Sequence, residues 1–543
     1  MRPQYRNSEK NWICQYSYID SSGKEIESFH VKRTGTQSSG VPEDTSVTRA
    51  FPRSSSSLVV STSSNWQSQK TDALSIFFLD LDIFQQRRVD VSNTCFSTPT
   101  SIINLLGTHA NVQETASWFF KSVHPWIPIV SKKRFYDQLL YISPQSHPDI
   151  ALLLLCMRLL KWSPSENESD PRTLLYSRAK QFYLEVETAG VFSIHALQAG
   201  ILIAVYELGH AIYPSAYLSI ASCARYGYSL GINPRGTYRA RKPFIWVELE
   251  EEKRVWWAII IIDRFVSLGC PGRPFASEDP YPEDSLPSDD GLWDQGIMPT
   301  DEPFTTASPS SANMGRFTLV AHIAKLLGQV LRHVSDKILD ATTHYEEAIQ
   351  LDRTIHALLG VSETESRESP NPICNQSAIL ESTLMTLHEK YSSPSMKPSS
   401  SPVMDHNYSR SVMENLATDM VAATRYYFHI LTPPAYDDFS PFFLHSIYQC
   451  TTTFVRMYQE NRNSETLESL DMLKKVLRVL DGKWRVAATA NSPASTKSFP
   501  PQGQLIRNIG RMVEVSQIDG VGDYAVLDEQ AIRGLVSELR KGG

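Results

Sequence analysis

Eight consecutive apolar residues, Val255–Ile262 (VWWAIIII), restrict the fold of this 543-residue chain more than any other feature of its sequence. A helix that is apolar on every side is stable only where other elements surround it. Apolar segments with helical spacing recur from Ile102 onwards, and few segments alternate with the two-residue period of a strand. The sequence therefore predicts an all-α fold, a large multi-helix domain with the Val255–Ile262 segment at its centre.

The predicted helices follow from apolar periodicity, capping residues and proline breaks. They span residues 112–121, 132–141, 149–160, 171–188, 193–210, 213–230, 248–268, 315–359, 407–431, 441–459 and 465–490. A small hairpin is predicted within Asn11–Lys32, with its turn at Ser22 and Gly23.

Changes in composition divide the chain into five predicted parts. Residues 1–101 form a mostly disordered N-terminal region with a Ser/Thr-rich linker, because such a segment buries too little apolar surface to fold. Residues 102–391 form the core, residues 392–402 a disordered loop rich in Ser and Pro, and residues 403–490 the C-terminal helical part of the same domain. Residues 491–543 are a variable tail.

Charge, cysteine content and hydropathy exclude several functional classes. Lys and Arg total 52 and Asp and Glu total 59, so a net charge of −7 gives no general attraction to nucleic acid or anionic membrane. The seven cysteines are scattered and contain no C-x-x-C, which favours reduced intracellular thiols over a compact zinc site. The longest apolar runs have eight residues, far below the roughly 18 that a membrane span needs. We therefore expect a soluble intracellular protein.

One motif suggests catalysis. Residues Gly227–Gly231 match G-x-S-x-G, in which a sharp strand-to-helix turn exposes a nucleophilic serine, here Ser229. The preceding residues are predicted to be helical, and Asn233-Pro234 breaks a helix, which is the opposite order. We therefore predict the end of a helix with Gly231 as its cap, and serine hydrolysis remains a remote alternative.

Other candidate motifs have simpler explanations. Asp80 and Asp82 resemble a D-x-D metal motif, but no third acidic ligand or phosphate-binding loop accompanies them. The densest basic runs, Lys132–Arg134 and Arg239–Lys242, are typical of solvated helix ends, with nuclear import signals as the alternative. The sequence thus predicts no catalytic, cofactor-binding or metal-binding residues and no enzyme activity.

Five motifs occur in a fixed order between residues 110 and 490. They are an H-P-x-x-P-I entry, an L-G helix end, an R-x-W-W helix, a D-R pair at the end of that helix, and a G-R-P turn. The residues concerned are His124, Pro125, Pro128, Leu230, Gly231, Arg254, Trp256, Trp257, Asp263, Arg264, Gly272, Arg273 and Pro274. This order resembles the middle homology region of the fungal zinc-cluster transcription factors.

The resemblance implies a nuclear regulator of RNA polymerase II transcription, of a metabolic or biosynthetic pathway, that acts through an all-α regulatory domain. The family's DNA-binding module is a binuclear zinc cluster with six closely spaced cysteines. Cys14 and Cys95 are the only cysteines in the first 100 residues, so no such module is recognisable here. Zinc is therefore expected only in the family's missing module, and no cofactor in this chain.

The expected partners are other transcription regulators or the transcription machinery. DNA is reached only indirectly or through the missing module, and homo- and heterodimers both fit the resemblance. An alternative function is that of a non-enzymatic α-helical adaptor, or a dimerisation partner of a full-length zinc-cluster factor.

The charges beside the apolar segment are predicted to be paired, because an unpaired charge is costly to bury. Arg273 is the expected partner of Asp263, and at least one of Trp256 and Trp257 is expected to be buried. Two interpretations of the signature residues remain open, a purely structural scaffold and the lining of a regulatory ligand pocket.

Overall fold

The computed structural model describes residues 13–19, 25–32, 96–164, 170–235, 245–310, 314–336, 341–368, 375–392, 404–428 and 435–486. The chain divides into two units, Met1–Thr71 and Asp72–Gly543. The predicted Ser/Thr-rich linker, the Asp80–Asp82 motif, Arg239–Lys242, residues 393–402 of the predicted loop and the tail from residue 491 lie outside the described residues.

The first unit contains an antiparallel hairpin. Strand β1 (Ile13–Ile19) pairs with β2 (Glu25–Lys32), with Ile13 opposite Lys32 and a register irregularity at Tyr18/Ile19. The segment joining the strands contains Ser22 and Gly23, which agrees with the predicted hairpin.

The second unit is helical. Its first helices are α1 (Thr100–Leu106), α2 (His109–Ser122), α3 (Lys132–Asp137), α4 (Pro148–Lys161), α5 (Leu174–Thr188), α6 (Ile194–Gly209), α7 (Ser215–Leu230) and α8 (Trp246–Phe265). They are followed by α9 (Asp290–Gln295), α10 (Arg316–Ser335), α11 (Ala341–Glu368), α12 (Asn375–Tyr391), α13 (His406–Tyr427), α14 (Phe442–Asn461) and α15 (Ser464–Asp481). Short 3₁₀ turns occur at Leu139–Tyr141 and Ala435–Asp438. The predicted all-α fold of the domain is confirmed.

Two buried helices organise the packing. Helix α6 is buried from Ala196 to Gly209 and contacts α4, α5, α7 and α8. Helix α12 contacts α10, α11, α13 and α14, and the contact of α8 with α10 joins the two groups. Both central helices need neighbours on several sides because they present buried side chains around most of their circumference.

The predicted central position of the Val255–Ile262 segment is also confirmed. All eight of its residues are buried within α8, including Trp256 at 3% exposure and Trp257 at 1%. None of the helices in the described ranges is both long and apolar enough to cross a bilayer.

Several predicted helix boundaries were wrong. The helix predicted over 315–359 is two helices, since α10 ends at Ser335 and Asp336 has extended backbone. No helix was predicted at α12, where buried polar residues such as Ser382, Thr383 and His388 obscure the apolar periodicity. Helices α1 and α9 are too short for a periodic pattern.

The end of the described chain returns to the first group of helices. The ammonium group of Lys483 donates to the carbonyl of Leu160 at 2.8 Å, and the Val486 N–H donates to the carbonyl of Gly209 at 3.1 Å. The Trp484 ring lies directly against Gly209, where a Cβ would clash with it. Helix α15 therefore ends at Asp481 and not at residue 490, because the next residues dock on α4 and α6.

Candidate functional site

Helix α8 carries five buried charged side chains, three before the apolar segment and two after it. These residues are Glu250, Glu251, Arg254, Asp263 and Arg264, each at 1% exposure or less. Removing so many ionised groups from water is tolerable only if each has close partners of opposite charge or hydrogen-bonding groups. Their partners identify which segments of the chain α8 holds in place.

Arg254 connects α8 to the segment before α9. Its guanidinium donates to Glu250 Oε1 at 3.1 Å, to Asp290 Oδ1 at 2.7 Å and to the Ser288 carbonyl at 2.6 Å. It also lies over the Trp293 ring, 4.2 Å from the centroid. A planar guanidinium suits such a site because its fixed donors address several acceptors at once while its face stacks on an aromatic ring.

Glu251 connects α8 to the segment that leads into α3. Its carboxylate accepts from the Ser131 N–H at 2.9 Å and from Gln198 Nε2 at 3.0 Å, and it forms an ion pair with Arg134. Arg134 also pairs with Glu248 at 3.1 Å. The third basic residue of the Lys132–Arg134 run is thus held in ion pairs with α8 and is not a solvated group.

The H-P-x-x-P entry lies beside α9. His124 is buried, its Nε2 lies 2.9 Å from Asp294 Oδ1, and its ring stacks on Trp293 with 5.9 Å between centroids. Burial would raise the pKa of Asp294, but the hydrogen bond and charge of His124 outweigh it and hold that pKa below its ordinary value. Pro125 is exposed in the turn after α2, whereas Pro128 is buried.

Asp263 and Arg264 connect the end of α8 to the segment after the G-R-P turn. Asp263 accepts from the backbone N–H groups of Ala276 and Ser277, at 3.0 and 2.9 Å, and from the Ser277 hydroxyl at 2.7 Å. Arg264 donates to Asp263 Oδ2 at 2.7 Å and to the Ser277 carbonyl at 3.1 Å, and it lies 4.0 Å from the centroid of the Phe275 ring.

The predicted Arg273–Asp263 pair was wrong. Asp263 is paired with its neighbour Arg264, and the Arg273 guanidinium lies over the ring of Tyr217 instead, 5.3 Å from the centroid. The Tyr217 hydroxyl donates to the Pro274 carbonyl at 2.9 Å, which holds the turn against α7. Gly272 has a positive φ of 94°, a conformation that favours glycine. The turn thus carries Arg273 away from the end of α8.

The two tryptophans of α8 contact different elements. The Trp257 indole donates to the Ser285 carbonyl at 3.0 Å, which fixes the segment leading to α9. The Trp256 ring packs edge-to-face on Tyr228 of α7, with centroids 4.9 Å apart. A Cβ on Gly227 would lie only 3.1 Å from the Trp256 ring, so this glycine permits the close approach of α7 and α8.

The residues that match G-x-S-x-G, Gly227–Gly231, form the last turn of α7 and its C-terminal cap. Ser229 lies in the last turn of α7, and its hydroxyl donates to the Arg225 carbonyl at 3.0 Å. Gly231 ends the helix in the left-handed conformation (φ 71°, ψ 27°), which confirms the predicted cap. A helix precedes the serine where a nucleophile elbow has a strand, so the geometry of that motif is not present.

The described residues contain no cluster of metal ligands, and one of their free thiols, Cys270, is exposed. No three or more of their His, Cys, Asp or Glu side chains are arranged to hold a metal ion. Cys156, Cys223 and Cys450 are buried free thiols, and burial raises the pKa of Cys223 to about 12. Such a thiol stays protonated at neutral pH and is therefore a weak nucleophile.

Sequence reasoning missed several buried polar groups outside α8. Lys483 lies over the Trp118 ring and is 3.4 Å from Asp437 Oδ1, and burial lowers its pKa to about 8. The buried His388 pairs with Asp352 at 2.9 Å, and a further cluster contains His333. The partners of these groups lie on different helices, so no local sequence motif could have identified them.

Comparison with known proteins identifies a family whose model matches this part of the chain. Residues 116–391 match the fungal specific transcription factor domain, a range that includes α8 and the segments attached to it. The sequence is 38% identical over 165 residues to the transcription factor BOA15 of Botryotinia fuckeliana. The alignment covers 29% of this chain and 89% of that protein.

Two further relatives are matched over smaller fractions of their length. The chain is 26% identical over 233 residues to the pigment biosynthesis transcriptional activator pigB of Monascus ruber, covering 40% of this chain and 41% of that protein. It is 26% identical over 156 residues to the transcription factor tazR of Aspergillus terreus, covering 28% of this chain and 24% of that protein. With half of its residues matched by the domain, this chain belongs to the family of the fungal specific transcription factor domain.

Proposed function

We propose that this chain regulates RNA polymerase II transcription in the nucleus of a fungus, through its all-α domain and together with partner proteins. The family match over residues 116–391 carries the proposal, because it coincides with the α8 network and not with a peripheral segment. The proposed targets are genes of a metabolic or biosynthetic pathway. A relative named as a regulator of pigment biosynthesis and two named as regulators of ABC transporters support that choice.

The charges of the domain support indirect contact with DNA. Several arginines that could attract phosphate are paired with carboxylates of the same chain, Arg134 with Glu248 in a largely buried pair and Arg235 with Glu278 and Arg410 with Glu414 in more exposed pairs. A net charge of −7 adds no long-range attraction. We therefore propose that other transcription regulators, the transcription machinery or a zinc-cluster module connects this domain to promoters.

A tethering experiment tests the regulatory role. The full chain is fused to a heterologous sequence-specific DNA-binding module, and reporter output is compared with that of the module alone. We expect the fusion to raise or lower the output, and Ser229→Ala to change it no further, because that serine only bonds within α7. A regulatory effect lost in Ser229→Ala, with the fold retained, would support serine chemistry instead. Equal output from the fusion and the module alone would contradict a regulatory role.

The second candidate function is that of an adaptor or dimerisation partner of a full-length zinc-cluster factor. The match to BOA15 favours this second function. The aligned residues are 29% of this chain but 89% of BOA15, so most of a protein named as a transcription factor corresponds to less than a third of this chain. In that case the tethered chain is silent, but the unfused chain alters the output of a co-expressed full-length relative. Without an effect in either arrangement, both functions are excluded.

A further inference from the structure

Two neighbouring helices carry a large apolar side chain on their outer faces. Leu184 of α5 is 57% exposed and Leu218 of α7 is 61% exposed. Both helices pack on α6 with their buried sides, and between them the ammonium group of Lys180 donates to the Ser219 hydroxyl at 2.8 Å. The two leucines therefore lie on the solvent side of a layer formed by α5 and α7.

Helix α6 forms the floor between these two helices. A Cβ on Gly200 of α6 would lie 2.9 Å from the Tyr183 ring and 3.0 Å from Cys223 Sγ, so α5 and α7 approach each other there as well. Since this second contact follows the first by about one turn on both helices, the two helices run in the same direction. Leu184 and Leu218 are then about 8 Å apart along the helix axes, at a rise of about 1.5 Å per residue. The α5–α7 groove consists of these two leucines at its edges and of Tyr183 and Cys223 at its base.

The two edges of the groove carry exposed groups of opposite charge. Glu187 is exposed on α5, three residues after Leu184, and Arg225 is exposed on α7, seven residues after Leu218. Residues three or seven apart share one face of a helix, so each charge lies beside the leucine of its own helix. Lys180, a further charge on the α5 side, is paired with a buried carboxylate of α6 at 3.0 Å. The groove therefore presents an acidic group on one edge and a basic group on the other.

The described part of the chain ends next to the same layer. The Val486 N–H donates to the carbonyl of Gly209, the last residue of α6, at 3.1 Å. Two residues earlier in α6, Glu207 accepts from the Tyr176 hydroxyl of α5 at 2.7 Å. After Val486, 43 residues (529 − 486) precede Gln530, and a random coil of that length spans about 35 Å. A helix of the length of α7 spans about 24 Å, so the residues from Gln530 onwards can reach the groove.

The sequence of residues 530–541 has an amphipathic helical pattern. Four apolar residues follow one another at positions i, i+3, i+4 and i+7, namely Ile532, Leu535, Val536 and Leu539. In a helix these four share one face, and this is the spacing with which an amphipathic helix binds a hydrophobic groove. The same helix would carry Arg533 and Arg540 along one edge of its apolar face and Glu538 along the other. Its pattern of charges therefore matches the two edges of the α5–α7 groove.

We propose that residues 530–541 dock as a helix on the α5–α7 groove of the same chain and cover Leu184 and Leu218. The edge with two arginines then faces Glu187, and the edge with Glu538 faces Arg225. A helix this short is marginal in water, so it needs an apolar surface in order to form. The connection through Val486 favours this groove, because a tethered segment has an effective concentration in the millimolar range.

Hydrogen–deuterium exchange of the full chain at neutral pH tests the docking. In the unaltered chain we expect the amides of residues 532–539 to exchange at least about tenfold more slowly than their intrinsic rates. Leu535→Asp places a charge on the apolar face and should return exchange to the intrinsic rates. Ser537→Asp is the matched control, because it adds the same charge to the polar face and should keep the protection.

A second pair of variants locates the surface. Leu218 is 61% exposed, so Leu218→Asp should keep the fold and release residues 532–539. Met298→Asp changes another exposed apolar residue, which follows α9 and is 66% exposed, and it should leave the protection unchanged.

Exchange at the intrinsic rates in the unaltered chain would overturn the proposal, as would protection that is retained in Leu218→Asp or lost in Met298→Asp. Protection that disappears when the protein is diluted from about 50 to about 1 µM would place the contact between two chains, and it would also overturn docking within one chain.

Discussion

Arg254 and Arg264 have fully buried side chains, yet each has an acceptor on nearly every side. Two of their acceptors, the carbonyls of Ser288 and Ser277, lie on segments that have no regular secondary structure, before α9 and after the G-R-P turn. Polar groups of that kind have to be satisfied once they are buried, so the arginines determine where those segments can lie. At the residue scale Arg254 and Arg264 therefore make positioning contacts around one apolar helix.

Arg254→Met should destabilise the domain by about 3–5 kcal/mol, because it removes the buried cation that pairs with Asp290 and leaves the buried Glu250 with Lys253 as its partner. Urea denaturation followed by circular dichroism measures the change. Lys161→Ala is the control, since Lys161 pairs at the surface with the exposed Glu114 and should shift stability by less than about 1 kcal/mol. Equal effects of the two substitutions would show that the buried network has little influence on stability.

Gly227→Ala and Ser229→Ala separate packing from catalysis within the G-x-S-x-G segment. A Cβ at Gly227 meets the Trp256 ring at 3.1 Å, and we expect a cost of about 1–3 kcal/mol from overpacking. Ser229→Ala should cost about 1 kcal/mol or less. Denaturant unfolding ranks the two variants, and labelling of Ser229 by a fluorophosphonate probe would contradict the helix-end assignment.

Helix α8 could be predicted from sequence because eight adjacent apolar residues allow no other position than the interior. Helix α12 could not, because its buried face includes Ser382, Thr383 and His388, whose partners come from other helices. The break after Ser335 was missed for a related reason, since Lys390, from a distant part of the chain, donates to the His333 carbonyl in the last turn of α10. Local periodicity thus identifies elements, while long-range polar contacts decide where some of them end.

The buried carboxyl of Glu381 in α12 makes the stability of the fold depend on pH, and a substitution at this position can reveal that dependence. Burial, together with the negative charges of Asp419 and Glu363, raises the pKa of Glu381 to about 8. A carboxyl whose pKa is higher in the folded than in the unfolded state stabilises fully below pH 4.5, and this contribution is lost as pH rises through about 8.

Glu381→Gln, which imitates the protonated carboxyl, should therefore gain stability relative to the unaltered chain between pH 5 and pH 8. The expected gain is on the order of 1–3 kcal/mol. Paired denaturant melts at pH 5 and pH 8 measure it. A constant difference between the two proteins at both pH values would show that the Glu381 carboxyl is not protonated in the folded state.

At the scale of the whole molecule, the chain returns to its first helices at Lys483 and Trp484. The Trp484 indole donates to the Phe439 carbonyl at 2.8 Å and packs against Gly209 and His210. The division between a core and a C-terminal helical part of one domain stays a prediction. The residues that form this closure could not be predicted, because contacting residues such as Lys483 and Leu160 are 323 positions apart in the sequence.

Trp484→Ala should remove this closure at a cost of about 3–5 kcal/mol, since it deletes a fully buried indole and leaves a cavity. Lys475→Ala, at an exposed position of α15, should have little effect. Thermal unfolding compares the two variants, and similar midpoints would show that the closure contributes little.

The central claim is that α8 is the buried scaffold of a regulatory domain, and the unfolding midpoint of Trp257→Ala tests it most directly. The Trp257 indole is 1% exposed and donates to the Ser285 carbonyl, so its loss removes burial, a hydrogen bond and the anchor of the segment before α9. The expected cost of about 3–5 kcal/mol is comparable with the whole stability of a domain, about 5–15 kcal/mol. We predict a sharply lowered midpoint and reduced solubility, with Lys161→Ala unchanged. An unchanged midpoint for Trp257→Ala would contradict the claim.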